Sequence, residues 1–258
     1  MRKAVADFIK YFDFLKQIVL RDLKKKYYKS VLGVLWTILN PLFMTIIITL
    51  VFSHLFKRSI DHYPIYYLCG TLLFSFNSGS TRQALHTMIA NNGFLRKIYV
   101  PKYMFCLSNI SVNFVDLFFS LIVLLGAMLV TGVPFTWKLL YIPVPVCLTL
   151  LFTIGLSLVL TTYGVFFRDL NHLYGIFVTA WTYLTPLFYP ITAIPEQFRV
   201  LYNLNPMYIY ITIMRTLVLD AEWPSVYMLL LGTLYSVVML AVGIWVFRKN
   251  QDKFFLYI

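Results

Sequence analysis

Charge is the scarcest commodity in this sequence. Asp, Glu, Lys and Arg together make up 12% of its 258 residues, about half the ~25% usual for a soluble chain. So few charges cannot cover the surface of a water-soluble domain of this length, whereas a bilayer removes the requirement. Acids are scarcer still, 10 against 22 Lys plus Arg. They are mostly isolated, so a membrane-embedded transferase that needs clustered acids or histidines near one face finds no obvious centre. A passive channel needs a repeated polar or charged ring, and the lone Asp116 could form one only by oligomerisation. No GxxxxGK[ST] phosphate cradle, HExxH, CxxC or GxSxG occurs. Cysteine is limited to Cys69, Cys106 and Cys147, without paired spacing and in or beside apolar runs. All three read as free buried thiols. His54, His62, His86 and His172 are scattered; His54 and His62 approach each other in sequence, but without placed carboxylates they make no metal site. The first 25 residues alternate charged and apolar positions and show no signal-peptide pattern.

What the chain has in abundance is apolar and aromatic side chains. The hydrophobic share is 60% and the mean hydropathy is +0.77, with 23 Phe, 19 Tyr and 5 Trp. Aromatics of this kind suit membrane interfaces, where a ring and a polar tip both find partners. The net charge of +12 is read as topology signal rather than as a nucleic-acid footprint.

Along the chain, Ala4, Phe8, Phe12, Leu15 and Val19 recur at helical spacing, with Asp7, Lys10, Lys16 and Arg21 on other faces. The pattern predicts an amphipathic helix over residues 1–30, too charged to span and suited to the membrane interface. It ends in the basic run KKKYYK. The remainder, 31–258, reads as one transmembrane domain of the all-α class. Six stretches approach the ~20 apolar residues a span needs: about 31–52, 63–81, 103–130, 139–167, 170–189 and 226–247. The segment 190–224 is broken by Pro190, Pro195, Pro206 and Pro224, and its apolar run 207–219 is short and contains Arg215. It reads as re-entrant. With six spans both termini share one side. That side then holds every basic residue except Lys57, Arg58, Lys138, Arg199 and Arg215, an asymmetry that makes it cytoplasmic.

Four polar features interrupt the apolar background. Asn40-Pro41 breaks the first span, as a packing kink or as a pivot for a gate. Asp116 lies within the third span near Ser111 and Asn113; an acid there takes a hydrogen bond from a neighbouring helix or faces a polar cavity. In the loop 82–102, Asn91-Asn92-Gly93 reads as a break and Pro101 as a stop. Between them Gly93, Phe94, Leu95, Arg96, Lys97, Ile98 and Tyr99 form a short helix that is marginal alone in water. It is either a connector tucked under the bundle or a docking helix for another subunit. Arg168-Asp169 sits between the fourth and fifth spans, with Asp169 capping the next helix or the pair making a second contact with the partner.

Taken together and in order, these features resemble a known family. RDLKKKYYKSVLGVLWTILNP (21–41) is similar to the entrance segment of permease subunits in type-2 ABC exporters of polysaccharides and polyol phosphates, with Tyr28, Lys29, Ser30, Leu32, Gly33, Trp36 and Pro41 at the matching positions. NNGFLRKIYVPK (91–102) resembles that family's coupling helix, FFRDL (166–170) its Arg-Asp element, and YLTPLFYP (183–190) with Ile194-Pro195 and Asn205-Pro206 its outer re-entrant region. The resemblance implies a bacterial inner-membrane homodimer working with two copies of an ABC ATPase. The ATPase would carry ATP and Mg and grip Gly93 to Tyr99; this chain would hold no cofactor and no nucleotide site of its own. The cargo implied is O-antigen, capsule or teichoic-acid-like glycan on a lipid carrier, entering beside the N-terminal helix, with export of a drug or simple lipid as the alternative. A sugar polymer offers hydroxyls and apolar ring faces, to which aromatic side chains are complementary. The channel candidates are Tyr63, Tyr66, Tyr67, Phe74, Phe76, Tyr183 and Tyr189, together with Asp116.

Overall fold

The computed structural model describes residues 11–28, 32–56, 60–95, 100–167 and 169–256. Among these residues all regular structure is helical. The helices are α1 (Phe12–Tyr27), α2 (Trp36–Phe56), α3 (Tyr63–Ala90), α4 (Asn92–Leu95), α5 (Tyr103–Thr131), α6 (Pro143–Phe166), α7 (Leu170–Leu184), α8 (Glu196–Arg199), α9 (Pro206–Val218) and α10 (Val226–Asn250). Four stretches are long and apolar enough to cross a membrane: Gly33–Phe52, Tyr103–Thr131, Trp137–Phe166 and Val226–Phe254.

The other two expected spans differ in instructive ways. α3 is 28 residues long, but Asn77, Ser78, Ser80, Thr81, Arg82 and Gln83 dilute its hydropathy. It also runs on into the expected loop, as far as Ala90, where Asn91 ends it and donates its side-chain amide back to the Thr87 carbonyl at 2.9 Å. α7 has 15 residues, about 22 Å at 1.5 Å per residue, and stops at Leu184 rather than 189. Pro186 disfavours the helical conformation at the residue before it, and Thr185 is extended (φ −98°, ψ 129°).

Contacts fix the helix directions. Lys102 reaches the Gln251 carbonyl, Phe166 stacks edge-on with Phe254, and Arg21 reaches Asn91; these define a near end. Tyr63, Thr131, Pro143 and Val226 define the far end. α3, α6 and α10 all run from far to near and pack side by side. Thr153 donates to Asn77 at 3.0 Å and Thr161 to the Ala84 carbonyl at 3.1 Å, while Ser236 donates to the Leu148 carbonyl at 2.9 Å. Glycine makes the approach possible. A Cβ on Gly243 would strike the Gly155 carbonyl oxygen, one on Gly155 the Met239 carbonyl, and one on Gly164 the Leu85 carbonyl. Small residues that let backbones touch are how helices associate where lipid removes the hydrophobic drive.

The chain between α7 and α10 leaves the far end and comes back to it. Asn205 caps α9, its side chain accepting from the Met207 N–H at 3.1 Å, and Pro206 occupies the first turn, where its missing N–H is harmless. α9 is apolar nearly all round and sunk in the bundle: Met207, Ile209, Tyr210, Ile211, Ile213, Met214 and Leu217 are all buried. α1 does not lie apart from the bundle. Phe14 meets Phe105 at 5.9 Å and Lys26 meets Asp116, so α1 runs alongside the first half of α5, burying Leu15 and Ile18. Cys69 and Cys106 are free and buried as expected, but Cys147, on α6, is free and exposed.

Candidate functional site

The residues with chemistry gather in three places. The first is a cavity of about 670 Å³ where α1, α2, α3 and α5 meet. Lys26 and Tyr27 close one side, Trp36, Thr37, Asn40 and Pro41 another, and Tyr67, Phe76, Asn113 and Asp116 the rest. Asp116 is the hub. Lys26 pairs with one carboxylate oxygen, and the Tyr27 hydroxyl donates to the other at 3.1 Å. Burial, then the neighbouring carboxylate, pushes the Tyr27 phenol up from its ordinary value. Proline at 41 deprives the Thr37 carbonyl of its usual partner four residues on, and both residues line the cavity. Thr45 answers one turn later by donating to the Pro41 carbonyl at 2.6 Å. Of the expected entrance residues, Trp36 and Pro41 are on this wall and Tyr28 is exposed beside it, whereas Lys29 and Ser30 lie outside the described residues.

The second place is a knot at the far end. Arg215 of α9 is only 8% exposed. Its Nε and Nη2 donate to the Tyr66 carbonyl at 3.2 Å, Nη1 to the Pro186 carbonyl at 2.8 Å and Nη2 to the Leu187 carbonyl at 3.3 Å. The guanidinium carbon sits 3.4 Å from the centre of the Tyr66 ring. A buried cation without a carboxylate is expensive; here the fork of donors is matched by carbonyls that Pro186 and the broken helix leave free. Gly70 lies beneath it, where a Cβ would come within 2.9 Å of Nη2. The aromatics join the same knot. Tyr66 donates to the Tyr189 carbonyl at 2.8 Å, Tyr63 to Phe188 at 2.8 Å, and Tyr189 to Tyr183 at 2.6 Å. Trp181 donates to Asn205, which donates to Thr185, both at 2.9 Å. Of the aromatics expected along a channel, Tyr63, Tyr66 and Tyr189 thus hold the 185–190 turn, and Phe74 packs edge-on against Trp181 inside the bundle. Tyr67 and Phe76 border the first cavity, and Tyr183, 66% exposed, opens onto the third place.

That third place is an open groove of about 840 Å³ between α3 and α7, lined by Arg82, Gln83, His86, Asn171, His172 and Tyr183 among others. His86 and Asn171 bridge it at 2.9 Å. At its near end Asp169 precedes α7 but makes no side-chain cap hydrogen bond. Gly93 and Phe94 are exposed, with the Arg21 guanidinium 4.9 Å from the Phe94 ring. Leu95 closes the single turn of α4; Arg96, Lys97, Tyr99 and Arg168 lie outside the described residues.

Residues 14–219 match the family described as ABC-2 type transporter. This chain is a member of that family. Relatives are similar over nearly their whole length. An O-antigen export system permease protein RfbA from Myxococcus xanthus is 28% identical over 98% of both chains. Another of that name from Klebsiella pneumoniae is 28% identical over 94% of each. The polysialic acid transport protein KpsM of Escherichia coli is 20% identical over 92% of this chain and 93% of its own. Within this ABC-2 chain the reading from sequence singled out Asp116 but not its partners Lys26 and Tyr27, which sit in a basic run like any other. It also left Arg215 as an outer-side charge. The signal for it was a lone arginine in a run otherwise apolar.

Proposed function

We propose that this chain is the membrane permease of an ATP-driven exporter that moves a lipid-linked polysaccharide of the O-antigen or capsule kind across a bacterial inner membrane, a teichoic-acid polymer being a chemically equivalent cargo. The observation that carries the reading is similarity to O-antigen permeases along the whole length of the chain. In this reading the near end is cytoplasmic. It gathers Arg21, Lys24, Lys25, Arg82, Lys102, Arg248 and Lys249, against Lys138, Arg199 and Arg215 elsewhere. α2, α3, α5, α6, α7 and α10 cross, α8 and α9 form the re-entrant pair, and both termini are cytoplasmic. Residues 93–99 dock on the ATPase, which supplies ATP and Mg, with Asp169 as a second contact.

The cavity under α1 is the cytoplasmic entrance. It offers an amphiphile apolar walls from α2 and α3 together with Lys26, Asn40, Asn113 and Asp116 at head-group height. The groove along α7 places exposed Arg82 and His86 on a face that would otherwise meet lipid, and such groups face a cavity or a partner. A second copy over that face makes the conduit, with Tyr183 along it. Two chains and two ATPases complete the transporter. Co-purification from the native membrane with mass spectrometry tests this. A P-loop ATPase in equal amount, with a glycolipid, is the expected result. A glycan-free complex holding a drug-like or simple lipid cargo moves the assignment to another ABC-2 substrate, and purification without any ATPase under conditions that keep ABC complexes together overturns it.

A further inference from the structure

Away from all three sites, two far-end loops are tied together. Lys138, in the 3₁₀ turn Trp137–Tyr141 that precedes α6, donates to the Ala221 carbonyl at 2.6 Å. Ala221 sits in the left-handed region (φ +50°), a conformation a residue with a Cβ avoids unless its surroundings impose it. The Glu222 N–H, donating to the Thr216 carbonyl at 3.0 Å, completes the constraint. The result is that Trp223 is held between Trp137 (5.1 Å) and Tyr141 (4.6 Å), both edge-to-face.

The three rings are not core. Trp137 is 68% exposed, and neither indole N–H of Trp137 and Trp223 has an acceptor among the described residues. Leu129 and Val130 at the end of α5, Leu140 in the same turn as Trp137 and Tyr141, and Val226 and Leu230 at the start of α10 are all heavily exposed at this end of the bundle. A ring platform standing in water would leave that apolar margin in water as well. Amphipathic rings with free N–H donors, set where an apolar face ends, fit the ester carbonyls and phosphates of a lipid leaflet.

We propose that Trp137, Tyr141 and Trp223 form an interface anchor, built by the Lys138–Ala221 tie, that binds the glycerol and head-group layer of the far-side leaflet and fixes the depth of the α5, α6 and α10 ends. The proposal rests on the membrane placement above but on neither cargo nor ATPase. The test reconstitutes the full chain in phosphatidylcholine brominated either near the glycerol end of the acyl chain or near its terminal methyl. The difference in emission between wild type and the Trp137→Phe/Trp223→Phe variant reports the pair. Quenching of that difference should be roughly twofold or more stronger from the shallow bromines, as expected for interfacial aromatics, with little effect of aqueous iodide. Equal quenching by both lipids overturns the fixed depth. Strong iodide quenching, relieved by soluble polysaccharide, overturns it in favour of a sugar-stacking platform. Trp245, exposed on α10 at the other end, is the internal control, read in the same way as the difference between wild type and Trp245→Phe. If it too escapes every brominated lipid, the membrane placement itself has failed; if it alone is quenched, only the anchor has.

Discussion

α2 and α6 are nearly equal in hydropathy, yet hardly any of α2 is buried and most of α6 is. Composition does not separate them; what they present to neighbours does. α6 offers Gly155 and Gly164, which bring backbones together, Thr153 and Thr161, which donate across to α3, and the Leu148 carbonyl, which accepts from Ser236 of α10. α2 offers Leu42, Phe43, Ile46, Ile47 and Leu50, bulky and exposed, with Pro41 breaking its ladder beside the α1 cavity. One helix is the axle of the bundle. The other touches it lightly.

The strongest way to break this comparison is at the axle. Gly243→Leu drives a side chain into the Gly155 backbone and should abolish the folded protein, and Gly155→Ala should cost about 1–3 kcal/mol, the usual range for overpacking. Leu50→Ala in α2 should leave stability within about 0.5 kcal/mol, as exposed substitutions do. Thermal unfolding in detergent checks all three, and equal losses on the two helices would erase the distinction.

Next comes the far-end knot. Arg215→Met removes the donors to three carbonyls and should cost on the order of 3 kcal/mol, the scale of breaking a buried polar pairing. Arg215→Lys, with a compact charge instead of a fork, should recover only part of it. Full recovery by lysine would mean that charge over the Tyr66 ring, and not the fork, holds the 185–190 turn.

A smaller effect on stability is expected at the α1 latch. Asp116→Asn ends the ion pair with Lys26 and should cost less than about 1 kcal/mol, since the pair is partly exposed. It should nevertheless widen the distance between spin labels on α1 and α5, and the exchange Lys26→Asp with Asp116→Lys should narrow it again. A distance unchanged in Asp116→Asn would show that Leu15 and Ile18 alone seat α1. The smallest structural effect belongs to Phe94→Ala at the near end, which should leave unfolding and membrane insertion unchanged while lowering the amount of ATPase retained on purification. Normal retention would remove Phe94 from the docking surface.

Much of this molecule was legible beforehand, and for local reasons. Hydropathy over ~20 residues located α2, α5, α6 and α10; the break at Asn91 fell at the end of α3, nine residues beyond the expected span, because α3 stays helical through polar residues, of which Asn77, Gln83 and Thr87 bond to α5 and α6. The expected length of α7 failed at Pro186, which ends the helix while apolar residues continue. The channel list failed to separate aromatics that tie a turn (Tyr63, Tyr66, Tyr189) from those that border space (Tyr67, Phe76, Tyr183), since a tyrosine beside a free carbonyl and one beside a cavity look alike in sequence.

The sequence by itself determined that the chain belongs in a membrane, where its long apolar helices α2, α5, α6 and α10 lie, and which end of the bundle gathers the positive charge. These follow from transfer of side chains out of water and from backbone rules at proline and helix caps, both read residue by residue. Only the tertiary structure decided that α3, α6 and α10 weld together while α2 stays loose, that Lys26 finds Asp116, and that Arg215 spends its donors on a turn nearly thirty residues away in the chain. Lipid is as apolar as leucine, so no hydrophobic gradient distinguishes a helix face that meets lipid from one that meets protein. That choice falls to shape and to a few polar contacts, which exist only once the helices are in place.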